Sequence, residues 1–412
     1  MEASLIKSMQ RIVRHGNLTL RFPSGNVSTF GDGTGLAISA RIADPRTVRK
    51  IVMDPALAMP EAYMDGTLTF ETGTMFDFVT LLKKGNVRKG ATVWAAFSHF
   101  RRVAGAYLRQ RAGLTLARQN ISHHYDLNED LFRLFLDADM NYSCAYFEHD
   151  EQSLEDAQRA KQRLIASKLL CEPGGRALDI GSGWGGMGLY LARVCGLDVT
   201  GITLSTEQQR VATARAADAG LQDQVRFALQ DYRSMTGQFD HITSIGMLEH
   251  VGRPQLKTYF RTVASLLDKK GTAVIHSMAQ PKPQPFAQPF GDKYIFPGGY
   301  IPSLGEVVPA IESAGLLIKD IEVLPLHYAR TCQIWRERFM ANRAKAVDLY
   351  DERFARMWEM YLIGAEVGFR QDRIFVAHYQ LARHQDRVPI RRNWIDQQSK
   401  RLNKAELGTD GS

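Results

Sequence analysis

Residues 177–192 read ALDIGSGWGGMGLYLA. An apolar run leads into a turn with glycine at 181, 183, 185 and 186, and an apolar-periodic stretch follows at once. This order predicts a strand, a tight turn and a helix, because glycine enters the left-handed backbone region without steric cost. A strand that feeds a helix through a glycine turn belongs to an open parallel sheet. The turn also lets the backbone pass close to a ligand.

The unit repeats downstream. DVTGITLS (198–205), VRFALQDY (225–232), FDHITSIGM (239–247) and GTAVIHSM (271–278) read as strands. TEQQRVATARAADAG (206–220) and PQLKTYFRTVASLL (254–267) read as helices. Strands alternating with helices at this spacing predict an α/β, Rossmann-like domain: a mostly parallel sheet with helices on both faces. Upstream, LTLRF (18–22), GLAISAR (35–41) and TLTFET (67–72) read as strands, with helices at 45–66 and at MFDFVTLLKK (75–84). This predicts a smaller mixed α+β N-terminal domain. At about 150 residues per domain, a chain of 412 residues holds two or three. We divide it into 1–119, 120–387 and a loose polar tail, 388–412. Residues 281–299, rich in proline and glycine, read as a long lid-like loop, and 330–384 as largely helical.

The turn's chemistry narrows the ligand. A glycine turn alone serves NAD, FAD and S-adenosylmethionine sites alike. Here an extra glycine sits at the fifth position of the dinucleotide pattern, and Asp179 precedes the turn. No acid closes the next strand to grip an NAD ribose; Thr203, Ser205 and Gln208 stand there instead. These features favour S-adenosylmethionine, and with it a Rossmann-like methyltransferase domain. Asp231, just past VRFALQ, is placed to accept a hydrogen bond from adenine. Ser205 and Thr206 also suit the cap of the following helix.

Charge bears on partners. The net charge is +8, and residues 1–118 hold 17 Lys and Arg against 8 Asp and Glu. Such a region suits an anionic membrane or nucleic acid. No recognition-helix or base-stacking pattern accompanies it, so no nucleic acid is expected. The opening MEASLIKSMQRIVRHG carries no uninterrupted apolar core, and no run of about 18 apolar residues occurs, so neither a signal peptide nor a spanning helix is expected. Four widely spaced cysteines (144, 171, 195, 332) fit reduced thiols in a cytosol. No metal is expected: HExxH and CxxC are absent, and the adjacent His123 and His124 cannot share a helix face. Cys144, in MNYSCAYF (140–147), reads from the residues alone as a nucleophile, a metal ligand or, most simply, part of a buried segment.

Six motifs then occur in order: HHYDLNEDLFRLFLDADMNYSCAYF (123–147), LDIGSGWGG (178–186), GITLSTEQ (201–208), QDYR (230–233), FDHITSIGMLEHVG (239–252) and FRQDRIFVAHYQLAR (369–383). Together they closely resemble cyclopropane-fatty-acyl-phospholipid synthases and the related mycolic acid cyclopropane synthases, over about residues 120–384. The resemblance implies an enzyme that uses S-adenosylmethionine to methylate the cis double bond of a phospholipid acyl chain. It then removes a proton to close a cyclopropane ring, with a bound bicarbonate ion as base. It assigns cofactor contacts to Tyr142, Ser143, the glycine turn (Gly181, Gly183, Gly185) with Asp179, Thr203 to Gln208, and Asp231 with Tyr232. It assigns the bicarbonate site to Glu249, Cys144, His276, Met278 and Tyr328, with Cys144 and Met278 acting through their backbones. It also suggests a homodimer.

An alkene is a weak nucleophile, and the positive charge left on the chain must be kept from water. Aromatic faces tolerate such charge; Tyr142, Tyr146 and Phe147, with Trp335 or Tyr361, are expected to supply them. The acyl chain needs an apolar wall, for which MWEMYLIGAEVGF (357–369) and the loop from Phe286 to Phe296 are candidates, although a Met and aromatic stripe is more often core. The basic N-terminal region is expected to dock the enzyme on the inner face of an anionic membrane. Two other readings stay open: a lipid C-methyltransferase that leaves the ring unclosed, and a small-molecule amine methyltransferase.

Overall fold

The computed structural model describes residues 1–85, 128–284 and 288–409, with single positions at 96, 98, 100 and 102. The expected boundary near residue 120, the His123–His124 pair and Phe286 lie outside the described residues. By contact, the described residues form two units. One is drawn from 1–113, 285–297 and 332–373, the other from 114–284, 298–331 and 374–412.

The first unit holds four strands, β1 (Asn17–Arg21), β2 (Val27–Phe30), β3 (Ala37–Ile42) and β4 (Leu68–Thr72), in the order β2-β1-β3-β4. β1 and β3 run parallel and the outer pairs antiparallel. Leu18, Leu20, Ile38, Ala40 and Ile42 point inward at the period-two spacing of a half-buried strand. Asp44 caps the helix Pro45–Met53 by accepting the Thr47 amide at 3.0 Å, and Thr74 with Asp77 forms a capping box for Met75–Lys84. The helix Glu352–Gln371 packs on Pro55–Met64 and on Met75–Lys84, which draws a late segment of the chain into this unit. Its Met and aromatic stripe is therefore core: Met357, Trp358, Met360, Leu362, Ile363 and Phe369 are all buried. Phe296, from the expected acyl-chain loop, meets Tyr361 of that helix edge-on at 5.8 Å. The loop itself contains a short helix, Pro289–Tyr294.

The second unit holds seven strands: β5 (Arg176–Ile180), β6 (Asp198–Thr203), β7 (Val225–Leu229), β8 (Phe239–Ile245), β9 (Leu267–Ala279), β10 (Leu317–Leu324) and β11 (Phe375–Ala382). Their order is β10-β11-β9-β8-β5-β6-β7, parallel from β9 to β7, with β11 antiparallel to both neighbours. Alternate residues serve opposite faces. Leu178, Ile180, Ala273 and Ile275 pack with the helices Leu256–Leu266 and Leu304–Glu312. Ala177, Val199 and Val274 pack with Leu154–Leu169, Gly186–Cys195 and Thr206–Asp218. The predicted α/β sheet with helices on both faces is what forms.

Two expectations are corrected. Residues 375–382, expected at the end of a helical stretch, are a strand. β11 is buried on both faces almost throughout, so no solvent side marks it. The tail is not loose: Trp394–Thr409 is a helix, with Trp394, Ile395 and Leu402 buried and Arg163 Nη1 donating to Glu406 Oε2 at 2.6 Å.

Candidate active site

The glycine turn, the chain after β6, the chain after β7 and the Leu248–Val251 turn after β8 all leave the sheet at its carboxyl edge, where open α/β sheets bind ligands. A pocket opens there. Tyr142, Ser143, Asp179, Gly181, Gly183, Thr203, Gln208 and Tyr232 line it, as expected from the sequence. Gly181 has φ +78°, and the Gly181 and Ser182 amides both donate to the Ile202 carbonyl, at 2.9 and 3.0 Å, tying the turn to β6.

Of the expected cofactor residues, Gly185, Ser205, Thr206, Glu207 and Asp231 are absent from the lining. A Cβ on Gly185 would come within 2.8 Å of the Phe227 ring and 3.0 Å of Ala212 Cβ, so this glycine lets the helix close on its neighbours. Ser205 caps the next helix by accepting the Gln208 amide at 3.3 Å. The Asp231 carboxylate accepts the Arg233 amide and its Nε, both at 2.9 Å, and so caps a turn.

Other residues join the pocket that sequence reasoning did not single out: Lys161, Trp184, Gln230, Met247 and His250. Lys161 has the clearest role. Its buried ammonium donates to Ser143 Oγ at 2.9 Å and Asn141 Oδ1 at 3.3 Å, holding the segment that carries Tyr142. Burial brings its pKa down to about 8, against the pull of Asp137, Cys144 and Asp179. A lysine among apolar residues on a helix (AKQRLIASKLL) was the signal available for it. Burial raises Asp179 to about 6, against the Thr243 hydroxyl at 2.8 Å and Lys161. Burial lowers His250 to about 4, so its ring is neutral.

Four of the residues assigned to the bicarbonate site, Glu249, Cys144, Met278 and Tyr328, come together beside β9. Glu249 is buried, and its Oε1 accepts the Met278 amide at 2.6 Å. The amide expected to face the anion is therefore held by Glu249 in this structure. Burial lifts Glu249 to about 7; the Met278 amide, its own amide and the Ser277 hydroxyl pull the other way. Met278 and Tyr328 pack around Cys144, Leu324 and Val376. Cys144 has no exposed surface and burial pushes its thiol up, so a nucleophilic thiolate is disfavoured and a wall is what the position builds. His276 lies two residues before Met278 on the same face of β9, and its Nδ1 is 2.8 Å from His378 Nε2.

The aromatic residues divide. Tyr142 lines the pocket and meets Phe132 edge-on at 5.1 Å. Tyr146 stacks on His327 at 4.9 Å, while Phe147 carries the Arg330 guanidinium 4.4 Å above its ring. Trp335 and Tyr361 belong to the first unit. Cys171 and Cys332 are buried free thiols, as expected. Among the described residues no His, Cys, Asp and Glu cluster could hold a metal ion.

The strand order, the glycine turn after β5 and the pocket above it define the class: a Rossmann-like S-adenosylmethionine-dependent methyltransferase fold. The solved structure titled mycolic acid cyclopropane synthase CmaA1 complexed with SAH and CTAB shares this fold at TM-score 0.61 and 32% identity, over 64% of this chain and 97% of that one. The mycolic acid cyclopropane synthetase family matches residues 113–379, and the chain belongs to that family. It is similar to the cyclopropane-fatty-acyl-phospholipid synthase of Escherichia coli K12, 37% identical over 330 residues, 80% of this chain and 84% of that protein. It is also similar to the tuberculostearic acid methyltransferase UfaA1 of Mycobacterium tuberculosis, 39% identical over 280 residues and 65% of each chain.

Proposed function

We propose that this enzyme methylates the cis double bond of a phospholipid acyl chain and closes it to a cyclopropane. Family membership and the likeness to the E. coli synthase support the reaction class. The observation that carries the reading is Glu249, a buried carboxyl at the sheet's carboxyl edge with one oxygen, Oε2, lacking a hydrogen-bond partner among the described residues.

S-adenosylmethionine would supply an electrophilic methyl group, held by Tyr142, Ser143, Gly181, Gly183, Thr203, Gln208 and Tyr232, whose pocket fits it. Bicarbonate would supply an oxygen base, held by Glu249 and His276 with Cys144 and Tyr328, while the Met278 amide orients Glu249. The fit is chemical: a carboxyl raised to about 7 shares a proton with a neighbouring oxygen anion instead of repelling it. The chain's own contribution is a dry wall. Cys144, Leu324 and Val376 exclude water, and the Tyr142 face tolerates positive charge on the acyl chain.

The relative named as a tuberculostearic acid methyltransferase favours a second reading, methyl transfer without ring closure. Purified protein, S-adenosylmethionine and liposomes with cis-monounsaturated chains separate the two. Gas chromatography with mass spectrometry reads the added carbon, and proton NMR reads ring hydrogens or a surviving alkene. Methylation of an added amine with no lipid product would sink both.

For access to lipid we propose peripheral docking on an anionic bilayer; no described helix is long and apolar enough to cross one. Arg46, Arg49 and Lys50 are exposed around the helix Pro45–Met53, and each is worth about 1 kcal/mol near such a surface. Replacing the three by Gln should weaken binding to anionic liposomes and flatten its salt dependence. We also propose a homodimer, to be read by light scattering.

A further inference from the structure

We propose that Lys168 and His378 fix the tautomer of His276, so that His276 presents a permanent Nε2–H donor to the Glu249 site and does not act as a base. This rests on the reading above, in which His276 meets the reacting groups.

Lys168 lies in the last turn of the helix Leu154–Leu169, with its side chain wholly buried. Its ammonium stands 2.6 Å from Glu322 Oε2 and 3.8 Å from Asp320 Oδ2, both on β10. Arg392 braces the same two acids, at 3.0 Å from Asp320 and 3.8 Å from Glu322. The other contact of the ammonium is His378 Nδ1, at 3.2 Å. On β11, His378 stands directly opposite His276 of β9, and its Nε2 is 2.8 Å from His276 Nδ1.

An ammonium has three donors and no acceptor. His378 Nδ1 must therefore accept, which puts the proton of a neutral ring on Nε2. That N–H points at His276 Nδ1, which must accept in turn, and the His276 proton is left on its own Nε2. Both rings are held neutral: burial first, then the nearby lysines 161 and 168, keep His276 well below the usual histidine range. The same causes, with His276 and His327 added, act on His378. A second proton on either ring would set two donors face to face.

The sign of the chain matters. A carboxylate hydrogen-bonded to Nδ1–H leaves the far nitrogen a lone pair and makes a base. An ammonium at the head of the chain does the reverse, and a second imidazole passes the polarity on unchanged. A fixed donor suits an oxygen anion and relieves Glu249 of competition for the proton. His378 and Lys168 act through His276 and are positioning residues.

The test is long-range proton–nitrogen NMR on the full chain with ¹⁵N-labelled histidine, read beside lipid methylation. Both His276 and His378 should show the Nε2–H pattern from pH 6 to 9. Lys168→Met should turn His276 into a tautomer mixture and lower kcat by about 10-fold to 100-fold, with the S-adenosylmethionine Kd within about twofold of the parent. Should loss of the ammonium prevent folding, His378→Leu cuts the same chain one link on and should give the same pattern at His276. His378→Gln should restore most of the loss, because an amide also accepts from Lys168 and donates to His276. An Nδ1–H pattern at His276 in the parent, or one unmoved by Lys168→Met or His378→Leu, overturns the wiring. A tautomer that responds while kcat stays put overturns the positioning role. Failure of the parent to methylate any lipid would instead overturn the proposed reaction and leave the NMR result standing.

Discussion

Glu249 Oε1 accepts the Met278 amide at 2.6 Å, while Oε2 of the same carboxyl is buried with no hydrogen-bond partner among the described residues. One oxygen orients the group on β9, and in the proposed reaction the other would meet the ligand. An unpaired buried polar atom is costly, and native proteins keep few without a use.

Glu249→Gln keeps the shape and the acceptor toward Met278 but can no longer exchange a proton. We expect kcat for lipid methylation to fall by about 10² to 10⁴-fold, the range for loss of acid–base help. Binding of S-adenosylmethionine should barely change, since Glu249 is not in that pocket's lining. Retention of full activity would remove Glu249 from the mechanism.

The same substitution has a stability signature. Burial raises Glu249 from an ordinary 4.5 to about 7. Between those values the folded protein keeps a proton that the unfolded chain gives up, so stability declines as pH rises through that window. A rise of this size corresponds to about 3 kcal/mol. Glu249→Gln escapes the decline. In urea denaturation the variant should gain on the parent by up to about 3 kcal/mol between pH 4.5 and pH 8. A pH-independent difference would show that Glu249 stays ionised in the fold.

Gly183 and Gly185 stand two residues apart and should fail differently. Gly185→Ala forces a Cβ against Phe227 and Ala212 at φ +88°, so it should destabilise the fold by about 1–3 kcal/mol while the folded protein binds S-adenosylmethionine nearly as before. At Gly183, φ +54° with nothing within 4 Å, the packing cost is small. It lines the pocket, so Gly183→Ala should act on cofactor Kd instead. Calorimetric titration and thermal melts of both variants decide it; equal effects on Kd would refute the division.

These two glycines also show how far a sequence can be read. Periodicity and punctuation located β5 to β9 because turn residues bound each strand and helices follow β5, β6 and β8. They placed the glycine turn, Thr203 and Gln208 at one edge for the same reason, whereas Tyr142 came only from the family resemblance. β11 escaped because it is buried on both faces, so its polar His378 and Gln380 lie as deep as its apolar residues and mark no solvent side. The closing helix escaped because only Trp394, Ile395 and Leu402 mark its inner side among many polar residues. Gly185, Ser205 and Asp231 carry residue types that serve cap, packing and ligand equally, and only the fold tells which. Lys161 and His378 depend on neighbours distant in sequence.

Lys161 is tested through the segment it holds. Lys161→Met removes the donor to Ser143 Oγ and Asn141 Oδ1 and frees the stretch carrying Tyr142. Two lost charge-assisted bonds, partly replaced by water, should weaken S-adenosylmethionine binding by about 10-fold, near 1.4 kcal/mol. Calorimetric titration at pH 7 reads it, with circular dichroism as the check on folding. An unchanged Kd would mean that the segment is held by its other contacts alone.

The helix Trp394–Thr409 is expected to hold the second unit together. Glu406 accepts from Arg163 Nη1 at 2.6 Å and from the Tyr190 hydroxyl at 2.5 Å, and all three residues are buried. Glu406→Ala leaves the Tyr190 hydroxyl short of an acceptor and takes a buried carboxylate from Arg163, although Asn403 still accepts from Arg163 Nη1 at 3.1 Å and Glu148 from Nη2 at 2.8 Å. The cost should be about 3 kcal/mol, the lower end for breaking a buried pair from one side. Removing residues 394–412 should cost more, because burying Trp394, Ile395 and Leu402 is worth roughly 1.5–3 kcal/mol each. Neither change touches the pocket lining, so cofactor Kd in protein that still folds should stay within about twofold. Urea denaturation of the two variants gives the order, and a truncated chain as stable as the parent would return these residues to the status of a tail.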